Sequence, residues 1–338
     1  MDKQSCYILA IESSCDDTAC AILRDDTVLA NVIANQSIHE QYGGVVPELA
    51  SRAHQSNIVP AVNSALEKSG IEKKDLSAVA FTRGPGLMGS LLVGTSFAKS
   101  LALGLNIPLI EVHHMQGHIL AHFINNGQET PRFPFLGLTI SGGHTQIVKV
   151  TDYHEMEVIG TTQDDAVGEA FDKTGKILGL GYPAGPKVDT LAQKGDPHKF
   201  PFPIPKAPGL NYSFSGFKTA VLYFIQKETK KNPDFIKENL ADICASVQHT
   251  LINILFKKLE LAVKQTGIKQ VAIGGGVSAN SGIRKKLVSY KDIGWEVFIP
   301  PFEYTTDNAA MIGISGYFKF LEKDFSNFDV TASPRISM

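Results

Sequence analysis

The sequence predicts an α/β fold built twice, and three observations carry that expectation. Residues 7–11 (YILAI) and 19–23 are apolar runs joined by the polar turn Glu12-Ser13-Ser14-Cys15-Asp16-Asp17-Thr18. The same strand, turn, strand pattern returns at 135–150 around Ser141-Gly142-Gly143-His144-Thr145. Each pair leads into a third β-like stretch and then into segments with amphipathic helical spacing. The chain is also long and apolar enough for two cores: 338 residues at roughly 150 per domain, 43% hydrophobic against 20% charged, which excludes the disordered and low-complexity classes.

In chain order, the first half continues with the β-like stretch Thr27 to Ile33, a helix over 47–68 ended by Gly70, and a helix over 87–104 entered through Gly84-Pro85-Gly86. The apolar face of 47–68 reads equally as core or as an interface. The second half runs through FLGLTI, QIVKV and Met156 to Gly160, then helices over 164–178, 184–194, 233–265 and 279–289, the last preceded by the strand VAIGGG. Two such halves imply a cleft in which two polar hairpin turns face one ligand. The stretch 195–217 is rich in proline, glycine and aromatics and is expected to be a surface insertion without a regular element. The expected domains are 1–128, with a helix at 307–322 packed on it, and 129–306, which carries the insertion.

A net charge of −2 and a pI near 6.6 exclude a globally basic nucleic-acid coat, so any nucleic-acid site must be confined to one face. The four cysteines, Cys6, Cys15, Cys20 and Cys244, form no C-x-x-C pair and are too few for a disulfide framework, which points to a reducing compartment. The apolar start, Tyr7 to Ile11, is too short for a signal peptide's core, and the most apolar region, Leu87 to Ile110, is broken by Lys99 and Asn106. A cytoplasmic protein without a membrane partner is expected.

The densest chemical signal is His113-His114-Met115-Gln116-Gly117-His118, with His122 one turn on: four of the ten histidines fall in 113–122. On a helix, His114 and His118 leave the same face, a common way to supply two metal ligands. In the metalloprotease pattern H-E-x-x-H a glutamate follows the first histidine as general base; Met115 stands there, so that proteolysis is disfavoured. Asp307, in Thr305-Thr306-Asp307-Asn308, is either a third ligand or the N-cap of the helix after it. Two glycine-rich turns, Ser141-Gly142-Gly143-His144 and Gly274-Gly275-Gly276-Val277-Ser278-Ala279-Asn280, offer backbone N–H groups to a phosphate or carboxylate, though neither is a P-loop or a Rossmann fingerprint. The segment 164–174 places Asp165, Glu169 and Asp172 on one face of its helix, and Tyr182-Pro183-Ala184-Gly185-Pro186 opens the next.

Taken together, the blocks IESSCDDT, GGVVPELASRAH, TRGPGLMGSL, HHMQGH, TISGGHTQ, DDAVGEAFDKTGKILGLGYPAGPKVD, NYSFSGFKT, GGGVSAN and TDNAAMI resemble the TsaD (older name Gcp) family of tRNA threonylcarbamoyladenosine transferases, within the ASKHA superfamily. The likeness runs from Ile8 to about Met311. It departs at Gln116, where members often have Glu, and at Ala184, which replaces a common Gly.

The resemblance implies a duplicated, actin-like (ribonuclease H-like) α/β fold of two domains flanking a nucleotide-binding cleft. It implies transfer of threonylcarbamoyl from threonylcarbamoyl-AMP to N6 of adenosine-37, immediately 3′ of the anticodon, in tRNAs that read codons beginning with A. It implies one divalent metal, iron(II) first and zinc second, on His114, His118 and Asp307. Thr139, Ile140, Ser141, Gly142, Gly143, Asp172, Gly185, Asp189 and Asn280 would hold the adenylate, and Asp16 matches a carboxylate implicated in activity. The implied partners are a TsaB-like inactive ASKHA paralogue, a TsaE-like P-loop ATPase, and the anticodon loop of tRNA, for which Arg83, Lys187, Lys194, Lys199, Lys206 and Lys218 are candidate contacts. The competing readings are an ASKHA-type ATPase or phosphotransferase and a nucleotide-binding scaffold.

Overall fold

The computed structural model describes residues 5–34, 39 and 42–338; the first residues of the amino-terminal stretch considered for a leader lie outside them. The chain divides into two compact units, one of residues 1–130 and 300–338, the other Pro131–Ile299.

The first unit is built on a sheet of β1 (Tyr7–Glu12), β2 (Thr18–Arg24), β3 (Thr27–Ala34), β4 (Ala78–Gly84) and β5 (Leu109–His113), in the order β3-β2-β1-β4-β5. β1, β2 and β3 form an antiparallel meander, while β4 and β5 join in parallel. Side chains alternate across the sheet. Leu9, Ile11, Cys20, Ile22, Val79 and Phe81 meet the helices α1 (Pro47–Ser69) and α2 (Met88–Leu105). Ile8, Leu23 and Ala80 lie against α9 (Ala309–Glu322). Proline opens α1, and Gly70 closes it at φ 70°, where a side chain would be strained. Its inward residues Ala50, His54, Ile58, Ala61, Val62 and Ala65 are buried, so its apolar face is core. By length and composition α2 is apolar enough to cross a membrane, yet Ser90, Leu91, Gly94, Thr95, Ala98 and Ala102 are buried within this unit.

The second unit repeats the plan with β6 (Phe135–Ile140), β7 (Thr145–Val150), β8 (Met156–Thr161), β9 (Gln270–Gly274) and β10 (Glu296–Phe298), in the order β10-β9-β6-β7-β8. Pairing senses match strand for strand: β6, β7 and β8 are antiparallel neighbours, and β9 and β10 are parallel. Even the register irregularity between the second and third strands recurs, at Ile22/Leu23 and at Ile147/Val148. The duplicated α/β architecture expected from the two hairpins is therefore present. Around this sheet lie α4 (Val167–Ile177), α5 (Gly185–Ala192), α6 (Ser215–Lys231), α7 (Phe235–Thr266) and α8 (Ser281–Ser289).

Three expectations are corrected. The stretch 195–217 is not a surface insertion, because Phe202, Tyr212, Phe214 and Phe217 are buried in the second core. A helix, α6, begins inside its end and was not anticipated, since its apolar residues Phe217, Val221 and Ile225 follow a proline-rich run that hides the period. Asp165 is not on the helix face with Glu169, because α4 starts at Val167; Lys173 bridges the two carboxylates instead, 2.7 Å from each.

Asp164 secures the entry to α6. Its carboxylate accepts from the backbone N–H of Phe214 (2.7 Å) and Ser215 (3.2 Å) and from the hydroxyls of Ser213 and Ser215. Burial would raise its pKa, and these donors outweigh burial and lower it. A depressed carboxylate contributes stability that is present above its unfolded value, about 3.9, and lost as pH falls through the folded value. The Phe214 and Ser215 amides should therefore be protected from hydrogen exchange at pH 5 and lose protection in the acid range, after correction for intrinsic rates. Protection that persists to pH 2 would show that the carboxylate is not what holds this turn.

Candidate metal centre

β5 delivers the chain to α3 (His114–Leu120), whose N-cap is His113: its Nδ1 accepts from the Met115 N–H at 3.2 Å and its Nε2 faces the Ile336 carbonyl oxygen at 3.2 Å, so both ring nitrogens are engaged away from His114 and His118. One turn separates His114 from His118, and both are buried, 6% and 1% exposed. Asp307 reaches them from the segment before α9. Its Oδ1 lies 3.5 Å from His114 Nε2 and 3.2 Å from His118 Nε2. The N-cap of α9 is Asn308, whose side chain accepts from the Met311 N–H, so the alternative role considered for Asp307 falls to its neighbour. One ligand atom from each of His114, His118 and Asp307 lies within 4.8 Å of the others.

Two imidazole nitrogens and a carboxylate oxygen, partly open to solvent on the Asp307 side, make a donor set that suits iron(II) or zinc and leaves positions for other ligands. The group could hold a metal ion. Burial would lower the His114 pKa, but the carboxylates of Glu12 and Asp307 outweigh it and raise it well above the ordinary value. Burial would likewise raise Asp307, and the two histidines hold it well below the ordinary carboxylate range.

Glu12 is the residue that sequence reasoning missed. It ends β1 with a wholly buried side chain, and Oε2 lies 3.0 Å from His114 Nδ1. The only signal was a glutamate closing an otherwise apolar strand. Asp16 lies in the same β1–β2 turn, half-buried.

The other candidates lie in the second unit, linked at one end of its sheet. Thr139 and Ile140 are buried in β6, so among the first five only Ser141, Gly142 and Gly143 reach the surface. The Ser141 hydroxyl accepts from the N–H of Gly143 (3.3 Å) and His144 (3.0 Å). Gly168 in α4 donates its N–H to the Ser141 carbonyl at 3.2 Å. Gly275, at φ 89°, packs its Cα so near Ile140 that a Cβ would sit 2.5 Å from the carbonyl oxygen. Asp172 accepts from the N–H of Ala184 (2.8 Å) and Gly185 (3.1 Å), and Asp189 accepts from the N–H and hydroxyl of Ser281. Asn280 caps α8 through the Ile283 N–H and donates to Gln248 Oε1 at 2.7 Å, so it braces the turn from within. Of the basic candidates, Arg83 is engaged by Glu111 and Thr331, Lys199 by Asp242 and Asn239, and Lys187 by the Leu180 carbonyl. Lys194 and Lys206 are exposed.

A family model described as "TsaD: tRNA N6-adenosine threonylcarbamoyltransferase" matches residues 27–314. The chain belongs to this family. It is 69% identical over 337 residues to the tRNA N6-adenosine threonylcarbamoyltransferase of Christiangramia forsetii, covering 99% of both chains. To the same enzyme of Cytophaga hutchinsonii it is 59% identical, covering 99% of this chain and 97% of that one. Among solved structures it is similar to full-length HypF in its phosphate- and nucleotide-bound form. The TM-score is 0.60 at 15% identity, over 94% of this chain and 46% of that one. Component A of (R)-2-hydroxyglutaryl-CoA dehydratase from Acidaminococcus fermentans is similar at TM-score 0.53 and 17% identity, over 93% and 98%. At these identities the likeness is one of fold, the ASKHA fold that the family shares.

Proposed function

We propose that this chain transfers threonylcarbamoyl from threonylcarbamoyl-AMP to N6 of adenosine-37 in tRNAs reading codons that begin with A, releasing AMP. The observation that carries the reading is family membership across 27–314, together with the conjunction of His114, His118 and Asp307. In the step itself the N6 amine attacks the carbamoyl carbonyl carbon, the bond from that carbon to the phosphate oxygen breaks, and AMP leaves with the electron pair. The amine is a poor nucleophile because its lone pair is delocalised into the ring, so the donor arrives activated and the protein's task is alignment and charge stabilisation.

The Ser141-Gly142-Gly143 turn is suited to the donor's phosphate: it is at the surface, and no atom of the described residues other than the glycine and its chain neighbours lies within 4 Å of where a Cβ on Gly142 or Gly143 would stand. Asp172, Gly185, Asp189 and Asn280 shape the neighbouring turns for the nucleoside, supported by Thr139 and Ile140 beneath. Asp16 is the carboxylate we assign to take the proton lost by N6. His114, His118 and Asp307 would hold the metal, iron(II) before zinc, which when bound supplies a Lewis acid for oxygen polarisation. Exposed Lys194 and Lys206, with the half-buried Lys218, remain the basic contacts proposed for the anticodon loop. A TsaB-like paralogue and a TsaE-like ATPase are the proposed protein partners, and the cytoplasm, where tRNA is found, is the proposed location.

The test is a reconstituted reaction of the full chain, these partners, threonylcarbamoyl-AMP and unmodified tRNA, with nucleoside mass analysis before and after chelation. Modified adenosine should form, vanish on chelation and return with iron or zinc. Steady ATP hydrolysis with no modified adenosine under any metal would reject the transferase reading.

A further inference from the structure

The two metal-site histidines differ in how they are held from behind. Nδ1 of His118 is buried with no hydrogen-bond partner among the described residues. Nδ1 of His114 faces Glu12 Oε2 at 3.0 Å and Ser14 Oγ at 3.2 Å. Glu12 is itself fixed: Oε1 accepts from the Ser14 N–H at 2.6 Å, and Oε2 accepts from the Thr82 hydroxyl, also at 2.6 Å. Those donors come from the β1–β2 turn and from β4, so both strands aim one carboxylate at the first residue of α3.

We propose that Glu12 is a positioning residue that holds the proton of His114 on Nδ1 and thereby leaves Nε2 bare for a divalent metal shared with His118 and Asp307. It rests on the metal reading above. A carboxylate whose oxygens accept from Ser14 and Thr82 has no hydrogen to offer the ring, so the hydrogen between Glu12 and His114 lies on Nδ1. With Nδ1 protonated, a neutral imidazole presents its lone pair only from Nε2, the atom that faces Asp307. Metal-bound histidines are commonly oriented by such an outer carboxylate, which fixes the tautomer and raises ligand basicity. Ser14 Oγ is then an acceptor or bystander at Nδ1, not the donor that would select the opposite tautomer.

Glu12→Gln keeps the shape and tests the chemistry. If its amide oxygen stays on the Ser14 N–H, its NH2 faces Nδ1 and favours the tautomer with the proton on Nε2. If it flips, two N–H donors confront each other across 2.6 Å. Zinc or cobalt(II) affinity should fall about 10- to 100-fold, and the cobalt visible bands should change in shape. Unchanged affinity and spectrum in a folded Glu12→Gln protein would overturn the proposal. Should the variant not fold, nitrogen NMR of the histidine rings in wild-type protein decides. A protonated Nδ1 on His114 with zinc on Nε2 supports the assignment, and an unprotonated Nδ1 overturns it. A wild-type chain that binds neither metal would defeat the metal reading and, with it, the role given to Glu12.

Discussion

Asp307→Ala is expected to abolish metal binding and lower tRNA modification by about three orders of magnitude, the equivalent of roughly 4 kcal/mol of transition-state stabilisation. The fold should survive, for a reason visible at the start of α9. Asn308, not Asp307, accepts the Met311 N–H, so the helix keeps its cap when Asp307 is truncated. About a third of the Asp307 side chain is exposed, so no large cavity opens. Zinc should raise the melting temperature of the wild-type chain, because a ligand that binds only the folded state stabilises it, and should leave the variant's unchanged. A variant that modified tRNA at the wild-type rate would remove Asp307 from the metal site.

Gly168→Ala is expected to weaken donor binding at least about tenfold and to cost about 1–3 kcal/mol of stability. A Cβ on Gly168 would lie 2.5 Å from the Ser141 carbonyl oxygen, 2.8 Å from its carbon and 2.9 Å from Gly142 Cα. All three are backbone atoms of the turn assigned to the donor's phosphate, so the strain cannot be relieved by a rotamer change. The Gly168 N–H bond to Ser141 would stretch as the turn moved away. The Michaelis constant for threonylcarbamoyl-AMP should rise while the variant still binds zinc, since its metal ligands are in the other unit. An unchanged Michaelis constant together with lowered stability would mean that the Ser141-Gly142-Gly143 turn does not hold the donor.

The chain pattern carried much of the fold because its signals are local. Short apolar runs such as YILAI and FLGLTI, each closed by a polar turn, mark strands, and the inward residues of 47–68 recur at helical spacing whether or not a partner is known. It failed where burial contradicted composition. The run 195–217 looks like a loop, yet Tyr212, Phe214 and Phe217 fill the second core, and its backbone is held by side chains distant in sequence, such as Asp164 and Lys258. The helix spacing of His114 and His118 was equally readable, since four residues make one turn. The role of Asp307 was readable only through the family resemblance and not from the residues themselves, because an aspartate and an asparagine side by side are both good N-caps, and only the path of the chain into α9 assigns the cap to Asn308.

By itself, then, the sequence determined the duplicated α/β class, most helices, the paired histidines and the family to which the motifs point. All of these are written in spacings of a few residues. Tertiary structure alone decided that Glu12 stands behind His114, 102 positions away, and it brought Asp307, which the motifs had named only through the family resemblance, to His118 across 189. It decided, too, that Gly168 must remain without a side chain against Ser141. The physical reason is the same in each case. A buried carboxylate or a backbone close approach is determined by which strand and helix ends converge, and that convergence follows from packing each sheet with the helices of its own unit rather than from any local pattern.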